Sequence, residues 1–95
     1  MVVGSLEMSL RLHGVRSLKE KRKPRMMILS KLRNRFHLAA AEVDDQDTWN
    51  VLTIGMATVG PHRGPVEQAL KDAADWVADT GVGEITLEQM EIERY

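Results

Sequence analysis

The cationic side chains of this sequence are concentrated in one stretch, and they are its strongest chemical signal. Ten of the thirteen lysine and arginine residues lie in residues 11–35, where Glu20 is the one acid, so this basic segment has a net charge of +9. Clustered cations bind phosphate backbones, because each neutralised phosphate releases counterions. The candidate phosphate-contacting residues are Arg16, Lys19, Lys21, Arg22, Lys23 and Arg25, extended by Lys31, Arg33 and Arg35.

Acidic side chains dominate the later part of the chain, and they leave a second interpretation open. Residues 67–95 contain eight acids and two bases, a net charge of −6, while the whole chain of 95 residues has a formal charge of −1. If the cations pack beside these acids, they form a solvated and neutralised surface through pairs that contribute about 0–1 kcal/mol each. The sequence is compatible with either arrangement.

Residues for catalysis or metal binding do not fall into a recognisable arrangement. The chain has no cysteine, its three histidines (His13, His37 and His62) lack metal-ligand spacing, and no serine, histidine and acid form a triad context. The acids Glu42, Asp44, Asp45 and Asp47 could hold a hard cation, but they lack the spacing of an EF-hand loop. A hairpin turn in which aspartates bond nearby backbone groups explains them better. We therefore expect a protein that is not an enzyme and that has neither a cofactor nor a metal site.

Aromatic residues are few, which restricts how the chain could contact RNA. They are Phe36, Trp49, Trp76 and Tyr95. Modules that bind RNA across a sheet stack bases on aromatic residues of the central strands, and the first predicted strand has none. Trp49 opens a later strand, where packing in the core or at its rim is the expected role and base stacking is the alternative. Any RNA contact should therefore be directed to the backbone.

The basic segment follows a strand and is predicted to be largely helical. Residues alternate between apolar and polar from Val2 to Leu12, which is typical of a half-buried strand. Ser17 and Glu20 have the spacing of a capping box that begins a helix. Pro24 predicts either a kink or a new start of that helix. The predicted buried stripe consists of Leu18, the stem of Arg25, Ile28, Leu29, Leu32 and Phe36.

Further patterns predict a strand at 38–43, a strand at 48–59, a helix from Pro65 to before Gly81, and a strand at 84–93 with a bulge near Glu88. The resulting order, βαββαβ, is typical of a ferredoxin-like α+β sandwich: a four-stranded antiparallel sheet with both helices on one face. We expect residues 1–95 to form a single domain. The predicted open face of the sheet carries Val3, Ser5, Glu7, Ser9, Val51, Thr53, Gly55, Ala57, Val59 and Met90.

Several segments resemble the YlxP-like family of small bacterial proteins: SLKEKR at 17–22, RNRF at 33–36, AEVD at 41–44, and Gln46, Asp47 and Trp49. The resemblance implies a ferredoxin-like fold, an unknown function, and genes that often lie beside those for translation initiation and ribosome maturation. It favours RNA or a ribosomal subunit as the partner. The alternative is a homodimer that associates through the open sheet face or the exposed strand at 38–43.

The chain contains no long apolar run, because Glu7 and Arg11 interrupt its first strand. We therefore expect neither a membrane segment nor a secretory signal, and we expect a cytoplasmic protein. A lack of cysteine fits that compartment.

Overall fold

The computed structural model describes all residues from Met1 to Tyr95. The elements are strand β1 (Val2–Leu12), helix α1 (Leu18–Asn34), strands β2 (Ala39–Asp44) and β3 (Val51–Gly60), helix α2 (Arg63–Asp79) and strand β4 (Gly83–Arg94). The strands form one antiparallel sheet in the order β2-β3-β1-β4, so β1 and β3 are central. The predicted ferredoxin-like α+β fold is confirmed.

Alternate residues of β1 build the core. Leu6, Met8 and Leu10 are buried, and one cluster of 15 buried residues joins them to side chains of both helices, such as Ile28 and Leu70. Both helices therefore pack on the face of the sheet to which these β1 residues point. The opposite face is not covered by a helix, and it is the open face below.

Gly4 lets α2 approach the sheet closely. A Cβ atom at this position would lie 2.6 Å from Val66 Cγ1 and 2.8 Å from Leu70 Cδ1. Contacts this short do not occur between packed carbon atoms, so any larger residue would push the two side chains away. The glycine therefore fixes the spacing between α2 and β1.

The serine half of the predicted capping box at the start of α1 is confirmed, whereas Glu20 bonds the residue before the cap rather than the cap itself. Ser17 Oγ accepts a hydrogen bond from the Glu20 backbone N–H at 3.1 Å, and Glu20 Oε2 accepts one from the Arg16 N–H at 2.6 Å. The helix then continues through Pro24 to Asn34, so the alternative of a new start at Pro24 is wrong. Proline removes one backbone hydrogen bond, and the buried residues Ile28, Leu29 and Leu32 stabilise the helix beyond it.

Two irregularities in strand pairing change the faces that the sequence pattern predicted. The β1–β4 register shifts so that Ser9 faces Leu87 while Leu10 faces Ile85, which places the bulge at Thr86 rather than near Glu88. Met90 consequently pairs with Leu6 and packs against the core, so its predicted place on the open face is wrong.

Helix α2 begins at Arg63, two residues before the predicted start at Pro65.

A second bulge lies in β2 at Val43, between the pairs Glu42–Ile54 and Asp44–Thr53. Val43 packs over the open side of Gly55, where a Cβ atom would come within 2.8 Å of Val43 Cγ1. The bulge is followed by the turn into β3, so it sets the position of the β2–β3 loop.

Neither helix is both long and apolar enough to cross a membrane.

Candidate nucleic-acid interface

Four cations of the basic segment line a depression beside the first half of α1: the buried Lys21, and Lys19, Arg22 and Arg25, which follow one another at intervals of three. Their spacing of three residues places them on one side of the helix. The opposite wall is the β2–β3 loop, which contributes Gln46. This α1 groove has a volume of about 270 Å³ and is lined by Leu18, Lys19, Lys21, Arg22, Arg25 and Gln46.

Lys21 lies at the base of the groove, and its side chain is only 1% exposed. Its Nζ donates hydrogen bonds to the carbonyl oxygens of Asp45 at 2.9 Å and Thr48 at 2.8 Å, and it lies 2.7 Å from Glu42 Oε2. Two of its protons are bonded to these carbonyls, Glu42 Oε2 is its charge partner and not a hydrogen-bond acceptor, and the side chain is closed off from solvent. Lys21 therefore cannot contact a phosphate group, and its prediction as a phosphate-contacting residue is wrong.

The buried ammonium group connects α1 to β2 and to the β2–β3 loop. A charge removed from water needs a counter-charge and hydrogen bonds, which Glu42 and the two loop carbonyls supply. Arg25 Nη1 also lies 3.5 Å from Glu42 Oε1. This network holds the loop against the helix and so places Gln46 at the groove.

The other predicted cations are largely free of carboxylates. Only Lys21 and Arg25, of the nine candidates, form an ion pair within the chain. The remaining seven are exposed: Arg16, Lys19, Arg22, Lys23, Lys31, Arg33 and Arg35. Lys21 and Arg25 pair with Glu42, so none of the nine candidates pairs with an acid of residues 67–95, and the interpretation in which those acids pair with these cations is wrong.

Three further candidate cations, Lys31, Arg33 and Arg35, lie toward the other end of α1, away from the groove. Arg35 follows the last residue of α1, about 24 Å along the helix axis from Lys19. The Arg33 guanidinium donates to the Ala40 carbonyl oxygen at 2.6 and 3.0 Å, and the Arg35 guanidinium lies 5.2 Å from the centre of the Phe36 ring. These contacts orient both groups while they remain exposed, so the structure presents two cationic regions at opposite ends of one helix.

Two large apolar side chains, Leu18 in the groove lining and Trp49 in the β2–β3 loop, are more exposed than the sequence pattern predicted. Leu18, expected in the buried stripe, is 48% exposed, whereas Lys21, one turn later on the helix, is buried. Trp49 is 45% exposed and lies outside the core, so the core part of its expected role is wrong. Trp76, in contrast, packs against Phe36 with ring centres 5.6 Å apart.

Acidic side chains are collected on the open face of the sheet. The register places Glu7, Glu84, Glu91 and Glu93 there, of which Glu84 pairs with Arg11. Tyr95 follows β4 and responds to these charges: a hydrogen bond to Glu93 and the charges of Glu93 and Glu91 raise the pKa of its hydroxyl. The open face is therefore negative, whereas the exposed side of α1 is positive.

The turn between β2 and β3 contains aspartates that bond nearby groups of the chain, as the sequence predicted. Asp44 Oδ1 accepts a hydrogen bond from the Asp45 N–H at 2.8 Å, and Asp45 adopts a positive φ of 56°. Asp45 Oδ2 accepts from Thr53 Oγ1 at 2.6 Å, and Thr53 Oγ1 lies 2.7 Å from Ser9 Oγ. The carboxylates of this turn thus hold the loop in place.

Comparison with known proteins places the chain in a family. The family model described as "Protein of unknown function (DUF503)" matches residues 3–90. The chain belongs to this family. The family relative described as "Uncharacterized protein YlxP" from Bacillus subtilis (strain 168) is 33% identical over 70 residues, which cover 74% of this chain and 76% of the relative. The resemblance to the YlxP-like family is thereby confirmed, and neither description names an activity.

Proposed function

We propose that this protein binds RNA, free or in a ribosomal subunit, through the exposed cations of α1 and that it acts without catalysing a reaction. The observation that carries the proposal is the set of seven exposed cations that form no ion pair within the chain. Unpaired cations on one surface attract a polyanion, and the attraction is strengthened by release of the counterions that the polyanion carries.

The groups in the α1 groove suit phosphate oxygens. The Lys19 ammonium and the Arg22 guanidinium are exposed donors one helical turn apart, and a guanidinium can bind two oxygens of one phosphate. These contacts read no base, so the proposed binding has little sequence specificity.

The charge of the sheet supports contact through the helix rather than through the open face. Glu7, Glu91 and Glu93 would repel a phosphate backbone laid across the sheet. The central strands β1 and β3 also contain no aromatic residue on which a base could stack. Both features make α1 the better surface for RNA.

The test is association with purified ribosomal subunits and with ribosomal RNA at low salt. The double variant Arg22→Glu/Lys23→Glu should abolish binding, because it replaces two exposed cations beside the groove with acids. Arg63→Glu/Lys71→Glu is the matched control, since it makes the same charge change on α2. Absence of binding by the unaltered protein, or equal loss in both variants, would overturn the proposal.

Self-association through strand β2 is a second candidate function. This strand lies at the edge of the sheet, and its residues Ala39, Ala41 and Val43 are exposed. A second copy could pair with this edge through backbone hydrogen bonds. Docking of two open faces is disfavoured, because it would bring acids such as Glu7 and Glu91 of both copies together. Sedimentation equilibrium tests this candidate: a monomer at all concentrations would exclude it.

A further inference from the structure

Trp49 presents its indole from a backbone that is anchored on both sides. The preceding residue, Thr48, donates its N–H to the Asp45 carbonyl at 3.0 Å, and its own carbonyl accepts from Lys21 Nζ at 2.8 Å. The following residue, Asn50, accepts from the Leu12 N–H at 2.8 Å. Because the backbone on both sides of Trp49 is already fixed, ordering of the loop costs little conformational entropy when a flat ligand stacks on the ring.

The same ammonium group links the backbone next to Trp49 to the groove. Lys21 lines the α1 groove and bonds the carbonyl of the residue next to Trp49. The backbone that carries the exposed ring is therefore joined by one buried contact to a residue that lines the groove. A cationic groove with an adjacent exposed aromatic ring is the arrangement with which proteins bind single-stranded nucleic acid.

We infer that the α1 groove and Trp49 together bind an unpaired stretch of RNA, with a phosphate at Lys19, Arg22 and Arg25 and a base against the indole. The inference rests on the proposed function and names the class of RNA that the site selects. Bases inside a duplex are stacked on one another and cannot reach the ring, whereas the bases of loops and single strands can. The protein should therefore prefer single strands over duplexes.

Fluorescence of Trp49 provides the test, because the chain has only one other tryptophan. In a Trp76→Phe background, a single-stranded uridine oligonucleotide and an RNA duplex of equal length are titrated at low salt. Stacking should quench Trp49 emission with the single strand and leave it unchanged with the duplex. In the otherwise unaltered chain, Trp49→Ala should weaken single-strand binding roughly tenfold to a hundredfold, with Trp49→Phe retaining most of it and duplex binding unaffected.

The possible outcomes separate this inference from the proposed function. If single strand and duplex bind equally, with salt-sensitive affinity and no change in Trp49 emission, the inference is overturned while backbone binding by α1 stands. If neither RNA binds, both are overturned. The Trp49→Ala and Trp49→Phe comparison requires no change at Trp76, so it decides the question even if the Trp76→Phe variant folds poorly.

Discussion

Lys21 and Glu42 form a buried ion pair between α1 and β2, with Nζ 2.7 Å from Oε2 and side chains only 1% and 9% exposed. The pair lies beneath the surface that we assign to RNA. Its ammonium also bonds two carbonyls of the β2–β3 loop, so one lysine of the basic segment is structural while its neighbours remain free. The shape of the α1 groove therefore depends on this contact.

Replacement of Lys21 should destabilise the fold strongly. Lys21→Met leaves the Glu42 carboxylate buried without its main counter-charge and leaves two loop carbonyls without a donor, at an expected cost of about 3–5 kcal/mol. The measurement is the free energy of unfolding in urea. Lys23→Met is the matched control, because Lys23 is exposed and unpaired, and it should change that free energy by less than about 0.5 kcal/mol. Similar values for the two variants would contradict the structural role of Lys21.

Gly4 and Gly64 should differ in how well they tolerate alanine. Gly4→Ala places a methyl group 2.6 Å from Val66 Cγ1, which should cost about 1–3 kcal/mol through overpacking. Gly64→Ala meets nothing within 4 Å outside its chain neighbours, and its methyl group crowds only the ring of Pro65, so it should cost less than Gly4→Ala. Thermal unfolding of both variants checks this, and stabilisation by Gly4→Ala would contradict the close approach of α2 to β1.

The titration of Tyr95 reports the negative charge of the open face. Its hydroxyl donates to Glu93 Oε2 at 3.0 Å, and that bond and the nearby carboxylates stabilise the protonated phenol, so its pKa lies above the ordinary value of 10.0. Glu93→Gln should lower the pKa of Tyr95, and added salt should lower it more in the unaltered chain than in the variant. Tyr95 is the one tyrosine, so ultraviolet absorbance follows it directly. A pKa that is the same in both proteins would contradict this account of the open face.

The order of elements could be predicted because local patterns carry it. The alternation in β1, the cap at Ser17 and the turn residues before β3 each depend on neighbours in sequence, and together they specify βαββαβ. The bulge at Thr86 could be predicted only approximately, because it depends on the pairing of β4 with β1. That shift alone moved Met90 to the helix side of the sheet.

The positive charge of the candidate site could be predicted from the sequence, but the buried contacts of Lys21 beneath it could not. Lysine counts as polar in a hydrophobic pattern, so the pattern assigned the buried position to Leu18 rather than Lys21. The bonding partners of Lys21 include Asp45 and Thr48, which lie 24 and 27 residues away in sequence. One signal was present: Lys21 lies four residues before Arg25 and seven before Ile28, on the same helical stripe.

The dependence of RNA affinity on salt tests the central claim most directly. The logarithm of the association constant for a single-stranded RNA should fall linearly with the logarithm of salt concentration, by about 0.7 for each phosphate contacted. Lys19→Gln and Arg22→Gln should each reduce that slope by about one such contact, whereas Lys71→Gln on α2 should leave it unchanged. An affinity that does not change with salt, or a slope that Lys19→Gln and Arg22→Gln do not alter, would contradict phosphate binding by α1.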